Sequence, residues 1–229
     1  MEHNRLYDRK TGKKGYDMKR RFLVTLLVVC VLLPAALSAA IVDLSLGATA
    51  QYKPILGDIK DSADADDFTG FSKFENYALG ADVRVKLLIA EVDLVGMFSQ
   101  STKSGVDYTK IELLTTAGIS MDLLGFARLG FGLGPNWIIE MNNDTGDFVM
   151  FEKNNPNVPV PLENFGDTFI NSPVAYRATV DFNLGGLMLG LNYTLETDYT
   201  FKNAQEVNKL FEADLDDGKF GVSLLFSLF

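Results

Sequence analysis

The sequence predicts an all-β protein: an eight-stranded antiparallel up-and-down transmembrane β-barrel that follows a cleaved signal peptide. Three observations predict it. Beyond residue 40 the chain alternates apolar and polar residues with a period of two, in eight separate segments. The connections between these segments alternate between short and long, and both ends of the barrel fall on the short-turn side. A basic, then apolar, then small-residue leader precedes them all.

The leader comes first in the chain. Residues 18–40 read MKRRFLVTLLVVCVLLPAALSAA. Lys19, Arg20 and Arg21 form a positive start, an apolar run follows, and Ser38, Ala39 and Ala40 offer a small-residue cleavage site. The apolar stretch 22–37 has 16 residues and a proline near its end. A spanning helix needs about 20, so export is expected rather than anchoring. Lipid attachment at Cys30 is disfavoured: Val29 is not the small residue such a cut prefers, and 31–37 would be left as an apolar stub. Residues 18–39 are therefore read as the signal peptide and 40–229 as the barrel domain. Residues 1–17 are read as an extension upstream of a start at Met18.

The strands follow in order. In 42–53, Val42, Leu44, Leu46, Ala48, Ala50 and Tyr52 oppose Asp43, Ser45, Gly47, Thr49 and Gln51. In 77–87 the odd positions are apolar, against Gly80, Asp82, Arg84 and Lys86. In 91–101, Val92, Leu94 and Phe98 oppose Glu91 and Asp93; the turn before it, 88–90, has no Gly or Pro but switches the parity. In 110–122, Ile111, Leu113, Ala117, Ile119 and Met121 oppose Lys110, Glu112, Thr116, Gly118 and Ser120. In 127–139, Leu129, Phe131, Leu133 and Trp137 oppose Arg128, three glycines and Asn136. Segments 174–184, 187–201 and 220–229 repeat the pattern, with Arg177, Asp181 and Glu196 among the polar set. The short connections are 88–90, 123–125 and 185–186. The long ones are 54–74, 102–108, 140–173 and 202–218.

Alternation alone does not say which face points outward, because a soluble lipocalin-like barrel alternates too. Three features favour the membrane. The polar face is rich in glycine, which weakens a solvated strand but makes room inside a narrow barrel. Tyr52, Tyr77, Tyr108, Trp137, Tyr176 and Tyr199 sit at strand ends next to the long loops, and all but Tyr108 share the apolar parity. Amphipathic rings sorted to one edge suit a membrane–water interface. The leader exports the chain.

The segment GFARLGFGLGPNW (125–137), the ending FGVSLLFSLF (220–229) and the eight-strand layout resemble small outer-membrane barrels of the OmpW and OmpX type. A long third loop after a Gly-rich fifth strand leans toward OmpW, and a spirochaetal member is expected. The resemblance implies a bacterial outer-membrane location, contact with outer-membrane lipids and assembly by the barrel-insertion machinery. One feature departs from the type. Its C-terminal strand places the last aromatic on the lipid-facing parity, whereas Phe229 falls on the opposite one, with Ser227 third from the end. Either a bulge shifts the last residues or the assembly signal is read differently.

Composition narrows the function. The chain has 21 basic and 30 acidic residues, and from Ala40 onward 13 basic and 27 acidic. Nucleic-acid binding is not expected, since phosphate contacts need clustered cations. His3 and Cys30 are the only His and Cys, and both lie in the leader. The exported chain then has no imidazole base, thiolate, disulfide or His/Cys metal ligand, and no cofactor is expected. Barrel acyltransferases and deacylases use His with Ser, so an enzyme is not expected either.

Candidate functional residues fall in two groups. The polar face carries Arg84, Lys86, Lys110, Arg128 and Arg177 against Asp43, Asp82, Glu91, Asp93, Glu112, Asp181 and Glu196. A charge in a narrow lumen must be paired or hydrated; these residues are either a packed salt-bridge network or a polar constriction on a transport path. The third loop is apolar, and Phe148, Phe151 and Phe165 are candidates for a pocket over the barrel mouth, as the OmpW resemblance implies; the alternative is a self-packed loop. Asp58, Asp61, Asp64, Asp66 and Asp67 lack the glycine and terminal glutamate of an EF-hand, so a solvated acidic surface is expected rather than a metal site. Residues 203–215 fit either a helix capped by Asn203 and Glu206 or a loop.

The leading expectation is a small porin-like or OmpW-like channel that takes up small, including hydrophobic, solutes. The alternative is a closed barrel that meets host or surface ligands through its acidic loops.

Overall fold

The computed structural model describes residues 42–152, 155–161 and 165–228. In the third loop the side chains of residues 151–165, 167 and 168 lie outside that set, as do Phe229 and residues 1–41, on which the expected signal peptide falls. Strands β1 (Val42–Tyr52), β2 (Tyr77–Leu87), β3 (Ala90–Lys103), β4 (Val106–Leu123), β5 (Ala127–Asn142), β8 (Pro173–Asn183), β9 (Leu187–Thr200) and β10 (Lys219–Ser227) each pair antiparallel with their chain neighbours. β5 pairs β8, and β1 pairs β10 from Ser45↔Ser227 to Gln51↔Gly221. The eight strands therefore close into a barrel with no free edge, which satisfies every ladder without water.

The parity read from the sequence is the parity of the barrel wall. Asp43, Ser45, Thr49 and Gln51 of β1 are buried, while Val42 and Leu46 on the opposite parity are exposed. The same holds on β2, β3 and β10, where Val85, Leu87, Val92, Leu94, Val222, Leu224 and Phe226 all face outward. Leu, Val, Ile and Phe from all eight strands thus form a continuous apolar outer surface around a polar interior. A soluble core has the reverse arrangement. No helix among the described residues is long and apolar enough to cross a membrane.

The turns explain the short connections. Leu88 adopts a left-handed conformation (φ 58°) in the two-residue link from β2 to β3. This turn has no glycine, so a leucine bears the strain, about 1–2 kcal/mol. Ser104 and Gly105 both have positive φ, as a type I′ hairpin demands. The β3–β4 connection is therefore a tight hairpin between long strands, not the long loop expected over 102–108.

The other long connections carry structure of their own. The first holds helix α1 (Leu56–Asp64) and two 3-10 turns, Thr69–Ser72 and Phe74–Asn76. The third holds a hairpin, β6 (Phe148–Glu152) and β7 (Asn155–Pro161), then helix α2 (Phe165–Asn171). Glu140 and Met141 at the top of β5 pair with β6, so the hairpin extends the wall above β5. The fourth holds three 3-10 turns, Phe201–Asn203, Val207–Leu210 and Leu215–Asp217. Residues 203–215 are thus a loop of short turns and not a capped helix. In β10 the alternation runs unbroken through Ser227, so among described residues no bulge corrects the parity of the chain end.

Glycines on the inner face do more than make room. A Cβ at Gly47, Gly80, Gly118 or Gly134 would collide with a backbone carbonyl of the neighbouring strand, at Leu224, Gly96, Phe131 and Thr115 respectively. These positions let the strands coil tightly enough to close a narrow barrel.

Candidate functional site

The interior is stacked in four levels from the short-turn end to the loop end. All seven charged lumen candidates, Arg84, Lys86, Lys110, Glu112, Arg128, Arg177 and Asp181, point into it. The structure divides them into separate clusters.

At the turn end Arg128 is the hub. Its guanidinium reaches Asp43 at 2.5 Å and Asp122 at 2.8 Å, and Glu91 more distantly at 3.9 Å. Lys86 also pairs with Asp122, and Ser45 donates to Asp43 at 2.8 Å. Asp122, at the end of a strand, was not among the sequence candidates.

The second level lies across the middle of the strands. Arg84 bridges Asp82 (2.9 Å) and Asp181 (2.6 Å), and Arg177 reaches Asp82 (2.7 Å) and Asp93 (3.5 Å). Ser223 of β10 donates to Asp82 at 2.8 Å and Asn192 donates to Ser223 at 3.2 Å. Asp82, Arg84, Arg177 and Asp181 are each no more than 2% exposed. Charges withdrawn this far from water hold only if their partners are fixed, and the wall is shaped to fix them. At Gly190 an added Cβ would land on the Asp181 carboxylate and 3.4 Å from Arg84, and at Gly130 it would lie 3.0 Å from Glu91.

The third level is apolar. Ala78, Val95, Met97, Leu114 and Ala175 form the largest buried apolar cluster described, and it lies inside the barrel. The sequence reading missed it, although a signal was present: from Leu94 to Phe98 both parities of β3 are apolar or glycine.

The fourth level faces the loops. Lys110 pairs with Glu112 at 2.8 Å, Lys103 with Glu140 at 2.6 Å and Lys219 with Glu196 at 3.4 Å. Asn136 donates to both Glu112 (2.8 Å) and Glu196 (3.1 Å). Above this level lies a polar cavity of about 720 Å³, lined by residues that include Lys53, Glu75, Ser99, Lys103, Lys110 and Glu140. Ala78 of the apolar level and Glu112 also line it, so the cavity ends where the packed interior begins. Lys53, at its rim, donates to the Gln100 carbonyl at 3.0 Å. Partial burial, with Lys110 nearby, holds the Lys53 ammonium below its ordinary value.

The third-loop candidates are not brought together among the described side chains. Phe148 is exposed on β6, and the side chains of Phe151 and Phe165 lie outside the described set. A different aromatic group forms on the outer wall. Trp137 of β5 meets Phe169 of α2 at 6.0 Å, Phe169 stacks on Phe201 at 5.2 Å, and Tyr199 meets Phe201 edge-on at 6.1 Å. A second group joins Tyr52, Tyr77 and Phe71, with Tyr52 and Phe71 stacked at 4.7 Å. Loops one, three and four thus add rings to the row of Tyr and Trp at the loop-end edge. Tyr108 instead is buried inward. In the first loop the aspartates gather no metal site: among described residues no group of three or more His, Cys, Asp or Glu could hold an ion. Asp67 caps its own turn, accepting from the Thr69 hydroxyl at 2.7 Å and amide at 3.0 Å. Those two hydrogen bonds hold its carboxyl below the ordinary range.

No protein-family model matches the chain, and no curated protein does. Among solved structures, the crystal structure of Neisserial surface protein A (NspA) is similar, at 9% sequence identity and a TM-score of 0.37, with 82% of this chain and 96% of that chain covered.

Proposed function

We propose that the protein is an outer-membrane barrel whose lumen is closed to through-passage and which works through its loop-end face, meeting surface or host ligands there. The observation that carries this reading is the sealed middle of the interior. Four charged side chains no more than 2% exposed lie beneath an apolar cluster that includes Val95, Met97 and Leu114. A hydrated pore leaves its lining charges wet. Here each of the two arginines is paired with buried carboxylates, which favours packing over a transport path.

The outer face supports the membrane placement. Its apolar band would be costly in water and is stabilised in lipid, at about 25 cal/mol for each Å² of apolar surface removed from water. The ring of Tyr and Trp suits the headgroup level. Outer-membrane lipids and the barrel-insertion machinery are then its first partners. The OmpW-like type rests on the 125–137 segment and the long third loop. The reading is non-enzymatic, in keeping with a chain that has no His or Cys beyond residue 30.

The loop-end cavity favours a second reading, uptake of small solutes that enter from the loops and leave sideways or through a rearranged lumen. Planar-bilayer recording separates the two. The inserted barrel is expected to give no discrete current steps. Reproducible steps in the unmodified protein would overturn the closed-barrel reading and make Arg84, Arg177 and Asp181 the lining of a pore.

A further inference from the structure

The loop-end cavity differs in chemistry from the packed interior beneath it. At about 720 Å³ it lies within the range of small-molecule sites, roughly 300–1,000 Å³. Ala78 is the one apolar side chain in its lining, and no aromatic ring borders it. Most of its polar groups already have partners. Glu112 is paired with Lys110, Glu140 with Lys103, and Lys219 with Glu196. The Ser101 hydroxyl donates to Glu140 and the Thr102 hydroxyl to Asp107.

Three lining groups are left over. Gln51, on the inner face at the top of β1, is 3% exposed, yet among the described residues its carboxamide makes no hydrogen bond. A buried amide ordinarily has a partner. Lys53 follows on the same face. Its backbone amide donates to the Asn76 carbonyl, and its ammonium reaches past β2 to the Gln100 carbonyl of β3 at 3.0 Å. That bond uses one of its three N–H donors. Among the described residues no carboxylate lies within ion-pair distance of it, and Glu75 acts on it only from further off, while Lys110 opposes its charge. Ser99 adjoins the residue that Lys53 reaches, and its hydroxyl has no hydrogen-bond partner among the described residues. The reach of Lys53 from β1 to β3 thus brings a cation without a counter-ion beside a hydroxyl and a buried amide in one cavity.

We infer that this cavity binds a small hydroxylated carboxylate of the size of a sugar acid, with its carboxylate on the Lys53 ammonium and its hydroxyls on Gln51 and Ser99. The charge-assisted bond to Lys53 supplies the anion preference, and the amide and hydroxyl each both donate and accept, as a sugar hydroxyl does. An apolar solute would strand these groups. A cation would have to displace a lysine from Glu112 or Glu140. A doubly charged phosphate would bring a second charge toward Glu75 and Glu140 with one free cation to meet it. The inference deepens the reading that the loop-end face binds ligands, and rests on it.

Titration calorimetry of the protein refolded into lipid nanodiscs tests it, with glucuronate and galacturonate as probes. Saturable binding of a hexuronate is expected, with glucose, which lacks the carboxylate, about 10-fold or more weaker. Lys53→Gln should weaken hexuronate binding by a similar factor, and Gln51→Leu should weaken both hexuronate and glucose. The comparison of hexuronate with glucose on the unmodified protein decides the matter even if a variant folds poorly. The inference is overturned if neither hexuronate binds saturably at millimolar concentration, if glucose binds as well as they do, if glucose 6-phosphate binds more tightly, or if a folded Lys53→Gln protein binds unchanged. Planar-bilayer recording of the same preparation keeps the two readings apart. A silent barrel that binds no hexuronate loses this site but remains a closed barrel, whereas current steps from a barrel that binds hexuronate uphold the site and overturn the closed lumen.

Discussion

Replacing Arg84 by methionine asks whether the barrel interior is dry. Arg84 spans the middle of the lumen, at 2.9 Å from Asp82 and 2.6 Å from Asp181, with 1% of its surface exposed. Methionine fills much of the same volume without charge. Asp82 keeps Arg177 and Ser223, so its loss is partial. Among the described residues Asp181 keeps no other ion pair, and its Oδ1 already accepts no hydrogen bond. Breaking a buried pair by removing one partner costs about 3–5 kcal/mol. In a hydrated lumen the same pair would behave like an exposed one, worth about 1 kcal/mol or less. With a denaturant slope of about 2 kcal/mol/M, a loss of about 4 kcal/mol lowers the urea midpoint by about 2 M, against about 0.5 M for a wet interior. Trp137 is the sole tryptophan and reports the transition by its fluorescence. The Arg84→Met, Asp181→Asn double variant should recover part of the loss, because it removes the orphaned charge. A midpoint shift under about 0.5 M, with no recovery in the double variant, would refute the packed-interior argument and return the lumen charges to a transport role.

Further expectations concern the wall and the loops. Gly190→Val should destabilise by about 1–3 kcal/mol, as overpacking does, because the new Cβ occupies the place of the Asp181 carboxylate beside Arg84; an unchanged urea midpoint would contradict the packing described there. Leu94→Arg, on the outward face at mid-strand, should cost about 2–4 kcal/mol in lipid vesicles; a variant that folds in water without detergent would show that the outer face is not lipid-facing. Phe169→Ala should release α2 from Trp137 and Phe201, remove about 0.5–1.5 kcal/mol per ring contact, and shift tryptophan emission to the red; unchanged emission would argue against that docking. Thr69→Val should return the Asp67 carboxyl toward its ordinary value, followed by NMR titration. Because the folded value is depressed, the contribution of this turn is present at neutral pH and lost as pH falls through the folded value. An unmoved titration would show that the hydroxyl bond does not form.

The division between legible and hidden features follows from range. Strand parity is a local property, because successive side chains point to opposite faces. Asp43, Asp82, Arg84, Arg128, Arg177 and Asp181 could therefore be assigned to one face from their neighbours alone. Pairing was not local. Lys86 lies opposite Glu91 in the ladder yet turns to Asp122 on the next strand but one, and Arg84 crosses to Asp181 on β8. Sequence distance carries no information about such choices. The apolar level was obscured because Val95 and Met97 break the polar run of their own face. The β3–β4 hairpin was missed because Thr102, Lys103 and Asp107 are polar, although they continue the ladder above the apolar band. The stacking of Phe169 on Phe201 joins the third loop to the end of β9, a contact between residues far apart in the chain that their sequence positions do not announce.

The sequence by itself determined that the chain forms an eight-stranded antiparallel barrel and which residues face inward, because period-two alternation and turn chemistry act over a few residues and leave few alternatives. Only the tertiary structure decided how the interior is filled: which cation takes which carboxylate, and that a buried apolar level seals the middle. Those outcomes depend on strand register and on the tilt that brings β2 and β8 to a common depth, and both are set when the sheet closes on itself.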